Sequence, residues 1–205
     1  MDIQQLLANI PVFLKTMIQL LIQPKKTMEE AKQYKWQYLD MLVYLKLAAL
    51  PAFVGLLIGH VWFWYAQLGG AILLSLILFV ASFLGVLIGG LLLNALAPMV
   101  KVTQQPMQIM KLFSFMATPF LLIGIINIYP VWPMMILTII AAVYGFFIFY
   151  QGIPILLKIP KEQQMSFFIL GIVVFVIGWA ILWGVWIGLD ITLESMLWPY
   201  AYGFM

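Results

Sequence analysis

The 205-residue sequence contains no cysteine and no arginine. The first absence excludes disulfides, thiolate metal sites and a cysteine nucleophile in any compartment. The second leaves lysine as the only fixed cation and provides no arginine cluster to grip nucleic acid. Charge of either sign is scarce. Only 8% of the residues are charged and 65% are hydrophobic, where a soluble domain is roughly a quarter charged and half apolar. Histidine occurs once, and there is no H-E-x-x-H, no G-x-S-x-G and no glycine-rich phosphate loop. With a mean hydropathy of +1.10, the chain reads as an integral membrane protein that is not an enzyme and needs no cofactor or metal.

Hydrophobic periodicity then divides it. In residues 1–23, Ile3, Leu6, Leu7, Ile10, Phe13, Leu14, Met17, Ile18 and Leu21 recur at three- and four-residue steps, with Asp2, Gln4, Gln5, Asn9, Lys15 and Gln19 opposite. That split predicts an amphipathic helix lying in the membrane interface. Lys15 interrupts the apolar part and no small-residue cleavage site follows, so a cleaved signal is not expected. Pro24 breaks this helix, and Thr27 with Glu30 forms a capping-box pattern for a second, polar one. Residues 1–40 therefore read as a cytoplasmic unit whose Lys25, Lys26, Lys32 and Lys35 contact lipid headgroups.

Residues 41–189 read as a membrane domain of five spans, at about 41–65, 71–96, 112–128, 132–150 and 165–189. Each is judged against the roughly 20 apolar residues needed to cross the hydrocarbon layer. Tight turns make hairpins of the first two spans and of the third and fourth. The lysines are one-sided: Lys15, Lys25, Lys26, Lys32, Lys35 and Lys46 come before or just inside the first span, Lys101 and Lys111 fall between the second and third, and Lys158 and Lys161 between the fourth and fifth. The tail, 190–205, carries Asp190 and Glu194 instead. The positive-inside rule therefore predicts a cytoplasmic N-terminus and a C-terminus outside, where Trp62, Trp64, Tyr129, Trp132, Trp183 and Trp198 form an interfacial belt.

Residues 144–164, YGFFIFYQGIPILLKIPKEQQ, return the fourth span to the cytoplasmic side. Gly152 suits a helix C-terminus and Pro154 discourages continuation. Ile155, Leu156 and Leu157 are expected to dip into the headgroup layer before Lys158, Pro160, Lys161 and Glu162 reach water. The order Tyr144, Tyr150, Gly152, Pro154, Lys158, Pro160, Glu162 resembles the signature of the Yip family, the Ypt-interacting membrane proteins, and in particular its prokaryotic branch of YohC-like inner-membrane proteins. The N-terminal QPKKTMEEAK and the five-span layout are similar to that family as well. The resemblance implies a multi-helix protein of the prokaryotic inner (plasma) membrane without known catalysis. Its eukaryotic members associate with prenylated Rab-type GTPases, but they carry a long cytosolic region where this chain has residues 1–40, which argues against GTPase binding here.

Gly55 and Gly59 in the first span and Gly85 and Gly89 in the second are small-xxx-small patterns that let helix backbones approach closely. Across a tight hairpin these faces are expected to pack on each other, with a homo-oligomer contact as the alternative. Lys46, just inside the first span, is expected to snorkel to the headgroups. Thr118 and Pro119 mark a kink, static or gating, at which the threonine satisfies or replaces the carbonyl that proline frees. His60, Asp190 and Glu194 would form a site only if they converge, and they read as scattered interface residues. The whole reads as an all-α polytopic protein that organises membranes or acts as an adaptor, with anionic lipid or a membrane-protein partner. A small transporter, channel or lipid scramblase working as an oligomer is the rival reading.

Overall fold

The computed structural model describes residues 3–34, 36–62, 68–128 and 132–201. Those residues are helical apart from short connections. The helices are α1 (Ile3–Ile22), α2 (Pro24–Gln33), α3 (Tyr38–Trp62), α4 (Leu68–Leu96), α5 (Pro106–Ile123), α6 (Trp132–Gly152) and α7 (Lys161–Ala201). Five stretches are long and apolar enough to cross a membrane: Tyr38–Gly59, Ala71–Val100, Pro106–Ile126, Ile136–Leu157 and Lys161–Leu182. The protein is thus an all-α polytopic membrane protein with an additional apolar helix at the N-terminus.

Helix α5 is the hub. Of its apolar stretch 72% is buried inside the molecule, against 17% for that of α7 at the periphery. It begins at Pro106, before Leu112 where the sequence reading placed the span, and continues past Ile123 as a 3₁₀ turn over Gly124–Ile128. Lys111 made the first turns look like loop. Helix α7 runs without a break through Asp190 and Glu194, so the 190–205 tail does not begin where a helix ends.

Close backbone approach explains several glycines, but not as a pairing of two glycine faces. A Cβ at Gly55 would lie 2.5 Å from the carbonyl oxygen of Gly124. A Cβ at Gly124 would collide with Ala52. Helix α3 therefore meets the 3₁₀ turn after α5 nearly backbone to backbone. Gly85 faces the side chain of Leu182 on α7, and Gly89 faces the ring of Phe113 on α5. The expectation that Gly55/Gly59 and Gly85/Gly89 would face each other is corrected at three of these positions: the 3₁₀ turn after α5 stands against Gly55, α7 against Gly85 and α5 against Gly89.

Within α5, Thr118 donates to the carbonyl of Ser114, one residue short of the Phe115 carbonyl left without its usual partner by Pro119. Thr118 therefore does not repair the proline site as expected. Its single proton is used on Ser114, so the 2.8 Å contact with the buried hydroxyl of Tyr44 is donated by the tyrosine. This bond ties α3 to α5.

Candidate functional site at the lysine-bearing end

The N-terminal helices are docked onto the bundle. On α1, Phe13, Thr16, Met17 and Leu20 are buried, while Leu14, Ile18 (60% exposed) and Ile22 (68%) face outward. The apolar face expected to rest in the interface is thus shared between the bundle and its surroundings. Phe13 and Trp36 meet edge to face at 5.4 Å, and Trp36 lies 5.2 Å from Tyr44 and 5.7 Å from Phe115, an aromatic cluster that joins α1, α3 and α5.

Polar contacts fix the same unit. Asp40 accepts the backbone N–H of Gln37 at 2.8 Å, the reach-back half of a capping box at the start of α3, and accepts at 3.4 Å from Asn9 of α1. The hydroxyl of Tyr144 on α6 donates to the carbonyl of Leu21 in the last turn of α1 at 2.8 Å. The ammonium of Lys111, a residue only 1% exposed, donates to the carbonyls of Ala31 and Tyr34 at 3.0 Å each and lies 5.3 Å from the Trp36 ring centroid. A buried cation without partners is untenable. Here it joins the backbone N–H groups of Tyr34 and Trp36 in capping the C-terminal carbonyls of α2, where the helix dipole is negative.

Helix α2 consequently has two distinct faces. Thr27, Met28 and Ala31 are buried, and Lys25, Lys26 and Lys32 are exposed. Lys35 lies outside the described residues. The capping-box expectation for Thr27 is corrected: Pro24 starts the helix after Gln23, and the hydroxyl of Thr27 donates back to the Gln23 carbonyl at 2.9 Å from within the first turn. Proline already supplies the helical φ and lacks the N–H that a cap would serve.

The 144–164 segment forms the floor beneath α2. Helix α6 does not end in a surface dip after Gly152. It widens into a π-helical turn over Ile153–Leu157, which accommodates Pro154, and Ile153, Leu156 and Leu157 turn inward. Gly152 is buried because a Cβ there would strike Leu112 and Met28. Tyr150 is exposed with its ring edge-on to Phe168 at 5.2 Å, and Pro154, Lys158, Pro160 and Glu162 are exposed. Lys158 closes the turn at φ 53°, and Lys101 closes the 3₁₀ turn Ala97–Val100 after α4 at φ 61°. A left-handed conformation costs a non-glycine residue roughly 1–2 kcal/mol.

Beside this floor, a cleft of about 520 Å³ opens between Lys32, the Val102–Gln108 connection, Leu156–Pro160 and Gln163. Gln105 donates to the Leu157 carbonyl at 3.4 Å across it, and the buried Oε1 of Gln108 has no partner. Elsewhere, Lys46 is exposed with its ammonium 5.6 Å from the centroid of Phe83, a cation–π contact with α4. The side chains of His60, Asp190 and Glu194 lie outside the described residues. Among the described residues no three histidine or acidic side chains gather as a metal-ligand set.

Lys111, Trp36 and Gln108 escaped the sequence reading as parts of this site. The available signal for Lys111 was a lysine with apolar neighbours on both sides, in IMKLF.

A family model described as Yip1 domain matches residues 18–197. Inner membrane protein YohC of Escherichia coli (strain K12) is 31% identical over 173 residues, covering 77% of this chain and 82% of that protein. The protein of the same name from Escherichia coli O6:H1 matches to the same extent. No solved structure matches. With 18–197 spanning the docked end of α1, the lysine-bearing α2 and all five spans, the chain belongs to the Yip1 domain family of membrane proteins.

Proposed function

We propose that this Yip-family protein is a non-enzymatic membrane organiser or adaptor. In this reading it sits in an inner (plasma) membrane with its N-terminus in the cytoplasm and its C-terminus outside. The lysine face of α2 and the Gln151–Gln164 segment engage anionic lipid or a membrane-protein partner. The observation that carries the reading is the construction of α2. One face is buried and its C-terminus is held by Lys111, which leaves Lys25, Lys26 and Lys32 pointing outward with one exposed acid, Glu29, among them. Each lysine close to an anionic surface contributes about 1 kcal/mol.

The orientation rests on the connections at this end. The α4–α5 connection carries Lys101 and the α6–α7 connection carries Lys158, with Lys161 opening α7. The test is charge reversal of the row, Lys25→Glu with Lys26→Glu and Lys32→Glu, followed by liposome association and co-purification from membranes. Loss of one or both supports the reading, and unchanged profiles refute it.

A further inference from the structure

We propose that the cleft under α2 is a binding site for a phosphate ester that carries free hydroxyls, the chemistry shared by a polyol phospholipid headgroup and a soluble polyol phosphate. Its volume of about 520 Å³ lies within the range of small-molecule sites. Two lysines that are distant in sequence, Lys32 and Lys158, line it, and among the described lining residues there is no carboxylate to neutralise them. The cleft is therefore positive, and two ammonium groups suit phosphate oxygens.

Two further observations point the same way. Helix α5 opens at the cleft with Gln105 as its leading residue and Pro106 at its first position, and no side chain caps its start. The free N–H groups of that first turn add an anion-favouring dipole. Meanwhile the Oε1 of Gln108 is buried at the cleft without a donor. A phosphate diester offers only acceptors, whereas a hydroxyl beside the phosphate supplies the missing donor once the Gln108 carboxamide turns toward the cleft. The conformation of Lys158 fits this demand. A glycine would adopt φ 53° without strain, and the lysine keeps an ammonium at the cleft.

This inference deepens the lipid-contact reading above, and Lys32 and Lys158 belong to both surfaces. Gln108 belongs to the cleft alone, and Lys25 and Lys26 to the α2 face alone. The two therefore fail separately. The full chain, purified in a neutral detergent, is titrated calorimetrically with four probes. These are short-chain phosphatidylglycerol, phosphatidylmethanol of equal charge but without hydroxyls, phosphatidylcholine, and glycerol phosphate.

One saturable site is expected that prefers phosphatidylglycerol to phosphatidylmethanol by about tenfold, one hydrogen bond's worth. Lys158→Gln should weaken it about tenfold, Gln108→Leu should remove the preference for hydroxyls, and Lys25→Gln with Lys26→Gln should leave that preference for hydroxyls intact. Equal saturation by glycerol phosphate identifies a soluble ligand, and binding of the lipid alone identifies a headgroup. Both outcomes uphold the site. Binding that is unsaturable, that follows charge alone, or that survives Lys158→Gln and Gln108→Leu overturns it. Lys158 is exposed, so an unfolding temperature equal to wild type for Lys158→Gln separates lost binding from lost fold.

Discussion

Lys111 of α5 donates to the carbonyl of Ala31, 80 positions earlier, and the same ammonium reaches Tyr34. One buried charge thus finishes a helix that belongs to another part of the chain. Lys111→Met should strip the ammonium from those carbonyls, which then keep only the backbone N–H groups of Tyr34 and Trp36, and cost about 1.5–3 kcal/mol, the worth of hydrogen bonds from a charged donor. Hydrogen exchange should locate the loss. Amides of residues 24–33 should exchange faster, while those of α5 itself keep their protection. Equal exchange in α2 would show that the aromatic and apolar contacts suffice to hold it.

A smaller effect is expected at α1. Tyr144→Phe removes only the hydroxyl that meets the Leu21 carbonyl at the helix's last turn, a loss of about 1 kcal/mol. Its signature is faster exchange confined to the last turn of α1 and the start of α2. A global drop in unfolding temperature as large as that of Lys111→Met would contradict this ranking.

The glycines separate by what stands opposite them. Gly55→Ala would force a methyl against the Gly124 and Ile125 backbone, which cannot rotate away. A loss of several kcal/mol is expected, as for other severe overpacking. At Gly85 the obstacle is the Leu182 side chain, which can shift, and Gly184 faces open space. Gly184→Ala should be neutral or stabilising by up to about 1 kcal/mol, because alanine is the better helix former. Unfolding temperatures in detergent order the three, and Gly184→Ala proving as harmful as Gly55→Ala would refute the assignment.

The left-handed lysines offer a test of a different kind. Lys101→Gly should relieve its φ of 61° and raise stability by roughly 0.5–1 kcal/mol, partly offset by the greater freedom of glycine in the unfolded chain. A matched Lys101→Ala keeps the strain and should not gain. If both variants shift the unfolding temperature equally, charge rather than backbone conformation sets the effect.

Much of the architecture was legible because lipid imposes simple rules. The long apolar runs, the hairpins and the lysines between alternate spans all follow from span length and charge placement. The Tyr144–Glu162 order, together with QPKKTMEEAK and the five-span layout, pointed to the family. What stayed hidden were partners chosen by three-dimensional packing. Lys111 read as a loop charge because its acceptors are backbone carbonyls, and those carry no side-chain pattern. Ile155, Leu156 and Leu157 read as a surface dip, of which Leu156 and Leu157 turn inward, because sequence does not reveal the gap that Gly152 leaves for Met28 and Leu112. Thr27 carried a capping pattern, but Pro24 beside it already set the helix start.

The most direct test of the account is the binding of Lys111→Met to anionic vesicles, compared with wild type at matched salt. The variant keeps Lys25, Lys26 and Lys32, and Lys111 itself is buried, on the inner side of the carbonyls it caps. If the clamp is what presents those lysines as a face, affinity should fall at least several-fold once α2 is released. Undiminished binding, with exchange in α2 demonstrably faster, would contradict the account. It would mean that the lysines attract the membrane simply as charges on a tether.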